Sequence, residues 1–250
     1  MSLAACADLL RRGDPDRWRA LSWLAPDPRA RLIPVFAANL EIARAPWVSA
    51  EPVIGQMRLT WWREVMAEIA SGGPVRRHEV ATPLAGVLGP EGARALDAVA
   101  VARHRDLDPQ PFDSAVGLIE YLEDTGGQLM VAAGAALGAG PRGLLDAGFA
   151  AGLANYLRAV PELLARGRQP LPSTDPADLA SLARAGLDRL TAARKAGPET
   201  AAHPALCTIA GTGFVLQAAA MEPARVLDGR LESSPFRRDL GLMRARLAGW

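Results

Sequence analysis

The amino-acid sequence predicts an all-α protein, and two observations carry this prediction. Alanine is abundant and β-branched residues are sparse, so helix propensity is high over long windows. Apolar residues also recur at intervals of three and four, the spacing that places them on one helix face. The 24 glycines and 20 prolines punctuate these runs. We expect residues 1–250 to form a single helical domain, since a chain of this length can build one large core.

The helices can be placed in chain order from apolar spacing and from the residues that end each run. The first follows Asp14-Pro15-Asp16 and ends before Pro26, because proline disrupts a helix interior. The later helices are predicted over residues 29–44, 49–71, a short piece within 74–90, 91–105, 112–137, 143–166, 178–195, 206–221 and 234–247.

Capping residues and glycines support several of these boundaries. Ser49 is the predicted N-cap of its helix, because Pro52 then falls in the first turn and Glu51 lies near the positive end of the helix dipole. The sequence Thr125-Gly126-Gly127 lies in the middle of 112–137 and predicts a kink there. Gly167 is expected to end the helix 143–166.

Charge and cysteine content bound the class of protein. The formal net charge is +1 and basic residues alternate with acidic ones, so a nucleic-acid partner is not expected. Cys6 and Cys207 are too few for a disulfide framework and have no metal-ligand spacing, which fits a reducing cytosol. The N-terminal residues lack the order of a signal peptide. We therefore expect a cytoplasmic protein.

The stretch 200–221 contains no Asp, Glu, Lys or Arg. Its length approaches the roughly 20 residues that span a bilayer, but polar residues and Pro204 interrupt it. We favour a buried core helix over a membrane span. Peripheral contact of the 206–221 helix with a membrane stays open.

The segment 148–172 is the most informative, because Asn155, Arg158 and Glu162 share one helix face. The segment resembles the second signature of the squalene/phytoene synthases, in which Asn-x-Leu-Arg-Asp-Val-x-Glu-Asp is followed by Gly-Arg and Leu-Pro. The residues in register are Asn155, Leu157, Arg158, Val160, Glu162, Gly167, Arg168, Leu171 and Pro172.

The departures from this family's pattern bear on catalysis. Its two Mg²⁺-binding aspartates at this signature fall on Ala159 and Leu163, and its first aspartate-rich motif falls near Ala43, Arg44 and Trp47, where no carboxylate stands. Mg²⁺ needs oxygen ligands, and the family's reaction requires these ions to draw diphosphate off an allylic chain. We therefore predict no catalytic residue, no metal ligand and no cofactor.

A second resemblance involves the segment 51–63, which is similar to the Glu-Pro-x-x-Gly-x-x-Arg-x-x-Trp/Phe-Trp block of a divergent family branch. That branch includes the mitochondrial assembly factor for respiratory complex I and its bacterial relatives, which lack the aspartate motifs. The resemblance implies an isoprenoid synthase-like bundle of antiparallel helices around a central cavity. It also implies a non-catalytic assembly or lipid-binding factor, whose partners would be a respiratory-complex subunit and an isoprenoid-like lipid.

Nine residues are candidates for lining the cavity or binding a diphosphate group. They are Arg44, Glu51, Arg58, Tyr121, Thr125, Asn155, Arg158, Glu162 and Arg168.

Other interpretations remain open at this point. Asn155, Arg158 and Glu162 are either ligand-binding residues or a buried structural network, since polar groups are costly to bury unpaired. Trp61 and Trp62 are expected in the core. The chain could instead be an active, Mg²⁺-dependent prenyltransferase, if the displaced acids converge in space. These acids are Glu41, Glu51, Glu123 and Glu162. A structural subunit without any ligand is a third hypothesis.

Overall fold

The computed structural model describes residues 3–232, 241–243 and 245. All regular secondary structure in this part of the chain is helical, which confirms the predicted class. The α-helices are α1 (Leu3–Gly13), α2 (Pro15–Ser22), α3 (Pro26–Arg44), α4 (Pro52–Ser71), α5 (Ala81–Ala85), α6 (Pro90–Ala102), α7 (Ala115–Leu122), α8 (Gln128–Ala136), α9 (Leu144–Ala165), α10 (Pro176–Ala196), α11 (His203–Cys207), α12 (Thr212–Met221) and α13 (Ala224–Leu227).

Short helical turns connect several of these elements and matter for the cavity. One 3-10 turn, Ala45–Trp47, continues α3, and another, Arg103–Leu107, continues α6. A π-helical turn, Glu123–Gly127, joins α7 to α8. This interruption includes the predicted break at Thr125-Gly126-Gly127. A third 3-10 turn, Thr200–Ala202, precedes α11.

Glycines allow α9 to cross the π-helical turn at very short range. A Cβ atom on Gly126 would lie 2.6 Å from the Gly148 carbonyl oxygen and 2.8 Å from Gly152 Cα. A Cβ atom on Gly148 would lie 2.8 Å from Gly127 Cα. The missing side chains therefore let two backbones approach where larger residues would separate them.

The helix boundaries follow local capping, with one difference from the prediction. The Asp14 and Ser114 side chains accept hydrogen bonds from the amides of Arg17 and Gly117, which start α2 and α7. The N-cap of α4 is Glu51 and not Ser49. Ser49 Oγ instead accepts a hydrogen bond from the Glu51 amide at 3.1 Å, before the helix begins at Pro52.

The prediction of one core helix over 206–221 is wrong. Helices α11 and α12 replace it, and the pair Thr200–Cys207 and Thr212–Met221 is bent by 57°. Leu206 and Leu216 are fully buried, whereas Met221 is 79% exposed. Taken alone, no described helix has the length and apolar character of a membrane span, although this bent pair has them together. The predicted helix 234–247 lies almost entirely outside the described residues.

Two hydrophobic cores pack side by side. The larger one is built mainly from α3, α4, α6 and α8 around Phe36, Trp62 and Met66. The other is built from α7, α9, α10 and α12 around Phe149, Leu153 and other aliphatic residues. The cavity lies where the cores meet, since residues of both contribute to its wall.

Candidate functional site

A large cavity, with a volume of about 1060 Å³, opens between the two cores. This volume is at the upper end of the roughly 300 to 1,000 Å³ typical of small-molecule sites. Seven of the nine candidate residues line it. These seven are Arg44, Tyr121, Thr125, Asn155, Arg158, Glu162 and Arg168.

The other two candidates, Glu51 and Arg58, do not line the cavity. Both are exposed on the outer face of α4, because the inner face of this helix buries Leu59 and Trp62. Arg58 Nη2 instead contacts Glu41 Oε2 of α3 at 3.3 Å. The prediction that these two residues line the cavity is therefore wrong, because the face of α4 that carries them points to solvent.

The positions that correspond to the family's aspartates do face the cavity. Ala43, Arg44, Trp47, Ala159 and Leu163 all belong to its wall. None of these side chains offers a carboxylate oxygen to Mg²⁺. In the described part of the chain, no group of three or more His, Cys, Asp or Glu residues is arranged to hold a metal ion. The residues present therefore do not fit a magnesium cluster.

The displaced acids do not converge either. Of Glu41, Glu51, Glu123 and Glu162, only Glu162 lines the cavity. Glu41 pairs with Arg58, and Glu123 pairs with Arg189 of α10. The Glu162 side chain is 67% exposed and lies 2.5 Å from Arg166. A carboxylate substitute for the missing aspartates is thus not assembled by these four residues.

Among the described residues, six carboxylates and eight arginines line the cavity. Each of the six carboxylates contacts an arginine that also lines it. The pairs are Asp14–Arg17 at 3.3 Å, Asp16–Arg158 at 3.0 Å, Glu232–Arg158 at 2.7 Å, Asp106–Arg103 at 3.1 Å, Asp108–Arg105 at 3.2 Å and Glu162–Arg166 at 2.5 Å. The wall therefore holds more positive than negative charge.

Arg158 has a structural role, which is one of the two alternatives that the sequence left open, but its partners are not the predicted ones. It joins α9 to Asp16 of α2 and to Glu232, and its Nε donates to Glu232 Oε1 at 3.0 Å. These partners raise the pKa of Arg158 although burial opposes its charge. Asn155 is exposed in the cavity and makes no hydrogen bond within the described residues, while Glu162 pairs elsewhere. The predicted buried network of Asn155, Arg158 and Glu162 is therefore wrong.

Tyr121 is the centre of a buried polar group at one end of the cavity. Its hydroxyl donates to Asp106 Oδ1 at 2.8 Å and accepts from Arg103 Nη1 at 2.6 Å. Burial is the main cause that raises the pKa of Tyr121 well above its usual value. The charge of Arg103 lowers this pKa, whereas that of Asp106 raises it. Thr125 is also buried, and its hydroxyl donates to the Tyr121 carbonyl oxygen at 2.7 Å across the π-helical turn.

At the solvent side, Arg166 and Arg168 lie beside Trp47, and Arg44 precedes it by about one helical turn. We call Arg44, Trp47, Arg166 and Arg168 the Trp47 cluster. The guanidinium carbons of Arg166 and Arg168 lie 5.7 and 5.0 Å from the Trp47 ring centroid, a cation–π distance. Arg44 lies three residues before Trp47 and passes so close to Gly13 that a Cβ atom there would collide with it.

The end of α9 places Arg168 in this cluster. Gly167 has a φ of +75°, the left-handed conformation that glycine adopts readily. The Gly167 amide donates to the Leu164 carbonyl at 2.9 Å, and the Arg168 amide donates to the Leu163 carbonyl at 3.0 Å. This is the predicted glycine cap. It turns the chain so that Arg168 Nη2 reaches the Asp106 carbonyl oxygen.

The inner part of the cavity has an apolar wall. It is formed by Leu122, Leu129, Met130, Ile209 and Val215, which are all largely buried. These side chains come from the two cores, and Gly126 and Gly148 lie beside them. The cavity is thus amphipathic, with apolar side chains inside and charged side chains around the Trp47 cluster.

Several residues of the site were not identified from the sequence. Arg103 and Asp106 lie on a 3-10 turn with no recognised motif, and Tyr156 lies within the matched signature at a variable position. The Tyr156 hydroxyl donates to the Pro170 carbonyl at 2.6 Å, and burial raises its pKa. Tyr121 and Tyr156 are the only tyrosines of the chain, a scarcity that could have drawn attention to both.

Comparison with known proteins gives the family and the fold. The sequence profile described as squalene/phytoene synthase matches residues 10–237. No curated protein sequence matches the chain significantly. Among solved structures, a dehydrosqualene synthase crystallised in complex with a ligand is similar, with a TM-score of 0.79 and 15% sequence identity over 99% of this chain and 97% of that chain. At this identity the structural similarity establishes the fold alone, and it confirms the isoprenoid synthase-like architecture.

Proposed function

Because the chain belongs to the squalene/phytoene synthase family, we propose that it is a non-catalytic member that holds an isoprenoid-like lipid in its cavity and acts as an assembly factor. The observation that carries this proposal is the composition of one part of the wall. Ala43, Arg44, Trp47, Ala159 and Leu163 face the cavity at the positions where the family's aspartates are expected.

The chemical argument concerns the leaving group. Ionising an allylic diphosphate requires strong electrostatic stabilisation of the departing anion, and preorganised charges commonly contribute several kcal/mol each. The family's enzymes obtain it from Mg²⁺ held by carboxylates. Here the carboxylates of the wall are engaged by arginines, and none of them lies at the positions of the family's aspartates. We therefore expect binding without turnover.

The volume and polarity of the cavity support a lipid ligand. About 1060 Å³ would accommodate a chain of several isoprene units, and the apolar wall would bury it away from water. The arginines at the Trp47 cluster would remain beside the ligand's polar end. A protein with a purely structural role would have no need of this cavity, since core packing is normally close to void-free.

The assembly role rests on the similarity of the segment 51–63 to the branch that includes the complex I assembly factor. In this segment Val53 is 55% exposed and Met57 is 67% exposed, on the outer face of α4. A surface of this kind suits contact with a protein partner. The proposed partner is a respiratory-complex subunit, and the proposed location is the cytoplasm, with peripheral contact at the inner face of the membrane.

An active prenyltransferase remains the alternative function. It would need Mg²⁺ and carboxylates that converge, whereas Glu162 is the only displaced acid on the cavity wall. The alternative is therefore supported by family membership but not by the arrangement of the acids.

Pyrophosphate release separates the two functions. The purified full-length protein is incubated with farnesyl or geranylgeranyl diphosphate and Mg²⁺, beside a dehydrosqualene synthase as positive control. We expect release no faster than in buffer. Release that depends on Mg²⁺ and on protein concentration would overturn the non-catalytic assignment.

The assembly role requires an experiment in the native host. Cells that lack the protein are expected to contain less assembled respiratory complex I, and wild-type protein should restore it. Purification of the protein with lipid and protein mass spectrometry should recover an isoprenoid-like lipid together with complex I subunits. Normal complex I content in the deletion strain would contradict the assembly role, without affecting the proposal on catalysis.

A further inference from the structure

Helix α12 exposes an apolar stripe in the uncharged segment 200–221. Phe214 is 37% exposed and Met221 is 79% exposed. They are seven residues apart, about two helical turns, so they share one face with the partly exposed Ala218. We call Phe214, Ala218 and Met221 the α12 stripe. Within α12, Gln217 is the one exposed polar side chain.

The opposite face of α12 is held in the protein. Val215, Leu216 and Ala219 belong to the smaller core, and Leu206 of α11 is fully buried in the larger one. The bend of 57° between the two helices fits this packing. Only one face of α12 is therefore available to an outside partner. A helix that offers one apolar face suits the surface of a bilayer and not a crossing of it.

The break between α11 and α12 also lines the cavity. The cavity wall includes the five consecutive residues 208–212, and Val215 follows one turn later. An added Cβ atom on Gly211 would have no neighbour within 4 Å, so the break leaves open space beside the backbone. The uncharged segment thus borders the cavity at its break and presents the α12 stripe to the outside.

The surroundings of the stripe distinguish a lipid partner from a protein partner. Val53 and Met57 of α4 are also exposed, but Glu51 and Arg58 lie beside them in the sequence, which suits the mixed rim of a protein interface. No Asp, Glu, Lys or Arg occurs in 200–221. Hydrocarbon does not solvate charged side chains, so this composition matches a bilayer.

We propose that the α12 stripe docks on a lipid bilayer and inserts Phe214 and Met221 among the lipid headgroups, with the break at 208–211 between bilayer and cavity. The inference rests on the proposed lipid-binding function and names the face that meets the membrane. The stripe carries no charge, so the hydrophobic effect drives the insertion. Docking therefore needs no anionic lipid and persists at high salt, unlike docking through arginines.

The test is flotation of the full-length protein with neutral phosphatidylcholine vesicles at low and at high salt. We expect binding that high salt does not weaken. Met221→Gln, which keeps the length of the side chain, should lower the partition coefficient by about 10-fold, the contribution of one exposed apolar side chain. Phe214→Gln should lower it by a smaller factor, because more of the Phe214 side chain is already buried.

Matched controls separate the stripe from general surface apolarity. Val116 of α7 is 62% exposed and lies outside the cavity wall, and Val116→Gln should leave vesicle binding unchanged. Met221→Leu keeps an apolar side chain and should bind like wild type. Thermal unfolding of every variant checks that the fold is retained.

A fluorescent probe reports the contact directly. Met221→Cys is labelled with a polarity-sensitive dye in a Cys207→Ser background, since the remaining cysteine, Cys6, is buried. Its emission should shift to the blue when phosphatidylcholine vesicles are added. The same dye on Val116→Cys should not respond. Equal responses at both positions would overturn the docking face.

The remaining outcomes separate this inference from the proposed function. Binding only to vesicles that contain anionic lipid, lost at high salt, overturns it. So does absence of vesicle binding, and if Met221→Gln then also loses the co-purified complex I subunits, the stripe is a protein interface. Either result leaves the lipid-binding proposal standing where the purified protein still contains an isoprenoid-like lipid. Vesicle binding through the stripe by a protein that carries no lipid supports the docking face and overturns lipid binding.

Discussion

Helices α4 and α9 each carry a recognisable sequence pattern, but the polar residues of the two patterns lie in different surroundings. The pattern of α4 buries Leu59, Trp62 and Met66 in the larger core and leaves its charged residues in solvent. The pattern of α9 places Asn155 and Arg158 on the cavity wall. The residue types in a pattern therefore do not reveal which side of a helix is functional. The neighbouring helices decide it.

The two helices are nevertheless connected through the turn that carries Trp47. Gly55 of α4 packs against Ala45–Trp47, where an added Cβ atom would lie 3.1 Å from Pro46 Cα and 3.1 Å from the Ala45 carbonyl oxygen. Trp47, the next residue after Pro46, contacts Arg168 beyond the end of α9. The packed face of α4 thus supports the turn that presents the Trp47 cluster.

Replacement of Trp62 gives the largest expected effect on the packed region. Trp62 is 2% exposed and its ring meets Trp61 at 5.0 Å and His78 at 5.7 Å. Trp62→Ala should lower the free energy of unfolding by about 3 to 5 kcal/mol, because it removes buried area and leaves a void. Chemical denaturation measures this loss.

The matched control is Trp61→Ala, which removes a partly exposed ring from the same helix and should cost less. If Trp62→Ala changed stability no more than Trp61→Ala, the packed face of α4 would be wrongly placed.

Loss of the Tyr121 hydroxyl tests the polar end of the cavity and should have an intermediate effect. Tyr121→Phe removes the hydroxyl that bonds both Asp106 and Arg103, which then retain their contact with each other, and the lost hydrogen bonds should cost about 1 to 3 kcal/mol. The raised pKa also predicts a pH dependence. The folded state keeps the Tyr121 proton more tightly than the unfolded state, so this contribution is complete below about pH 10 and is lost as pH rises through the folded value.

Between about pH 8 and pH 11, the free energy of unfolding should therefore fall less steeply with pH for Tyr121→Phe than for wild type. Some slope should persist, because burial also raises the pKa of Tyr156 and raises that of Cys6 to about 11. Parallel pH profiles for the two proteins would show that Tyr121 is not held as a buried phenol.

The sequence was sufficient for features that depend on helical periodicity. The spacing in 143–166 predicted one long helix, and the residues predicted to share its polar face, Asn155, Arg158 and Glu162, all line the cavity. The glycine pair after Thr125 predicted the interruption that became a π-helical turn. In each case the outcome depends on interactions between residues that are close together along the chain.

The sequence was insufficient where distant contacts decide the outcome. The sequence left open whether Arg158 binds a ligand or belongs to a structural network with Asn155 and Glu162. Its partners Asp16 and Glu232 instead come from segments far along the chain. The meeting of Trp47 and Arg168 also depends on tertiary packing. The break between α11 and α12 had a local signal, Gly211 and Gly213, which the absence of charged residues in this stretch obscured.

The smallest expected effect contrasts two arginines that were both candidate site residues. Arg58 pairs with Glu41 on the surface, and exposed ion pairs contribute only about 0 to 1 kcal/mol, because water screens the charges and the side chains lose freedom. Arg58→Gln should therefore leave both stability and ligand binding nearly unchanged. Arg158→Gln should destabilise the fold more, since it removes the ion pairs that join α9 to both Asp16 and Glu232. Denaturation of both variants, together with Glu41→Gln, measures the difference. A larger loss for Arg58→Gln than for Arg158→Gln would mean that the outer face of α4, and not the cavity side of α9, holds the helices together.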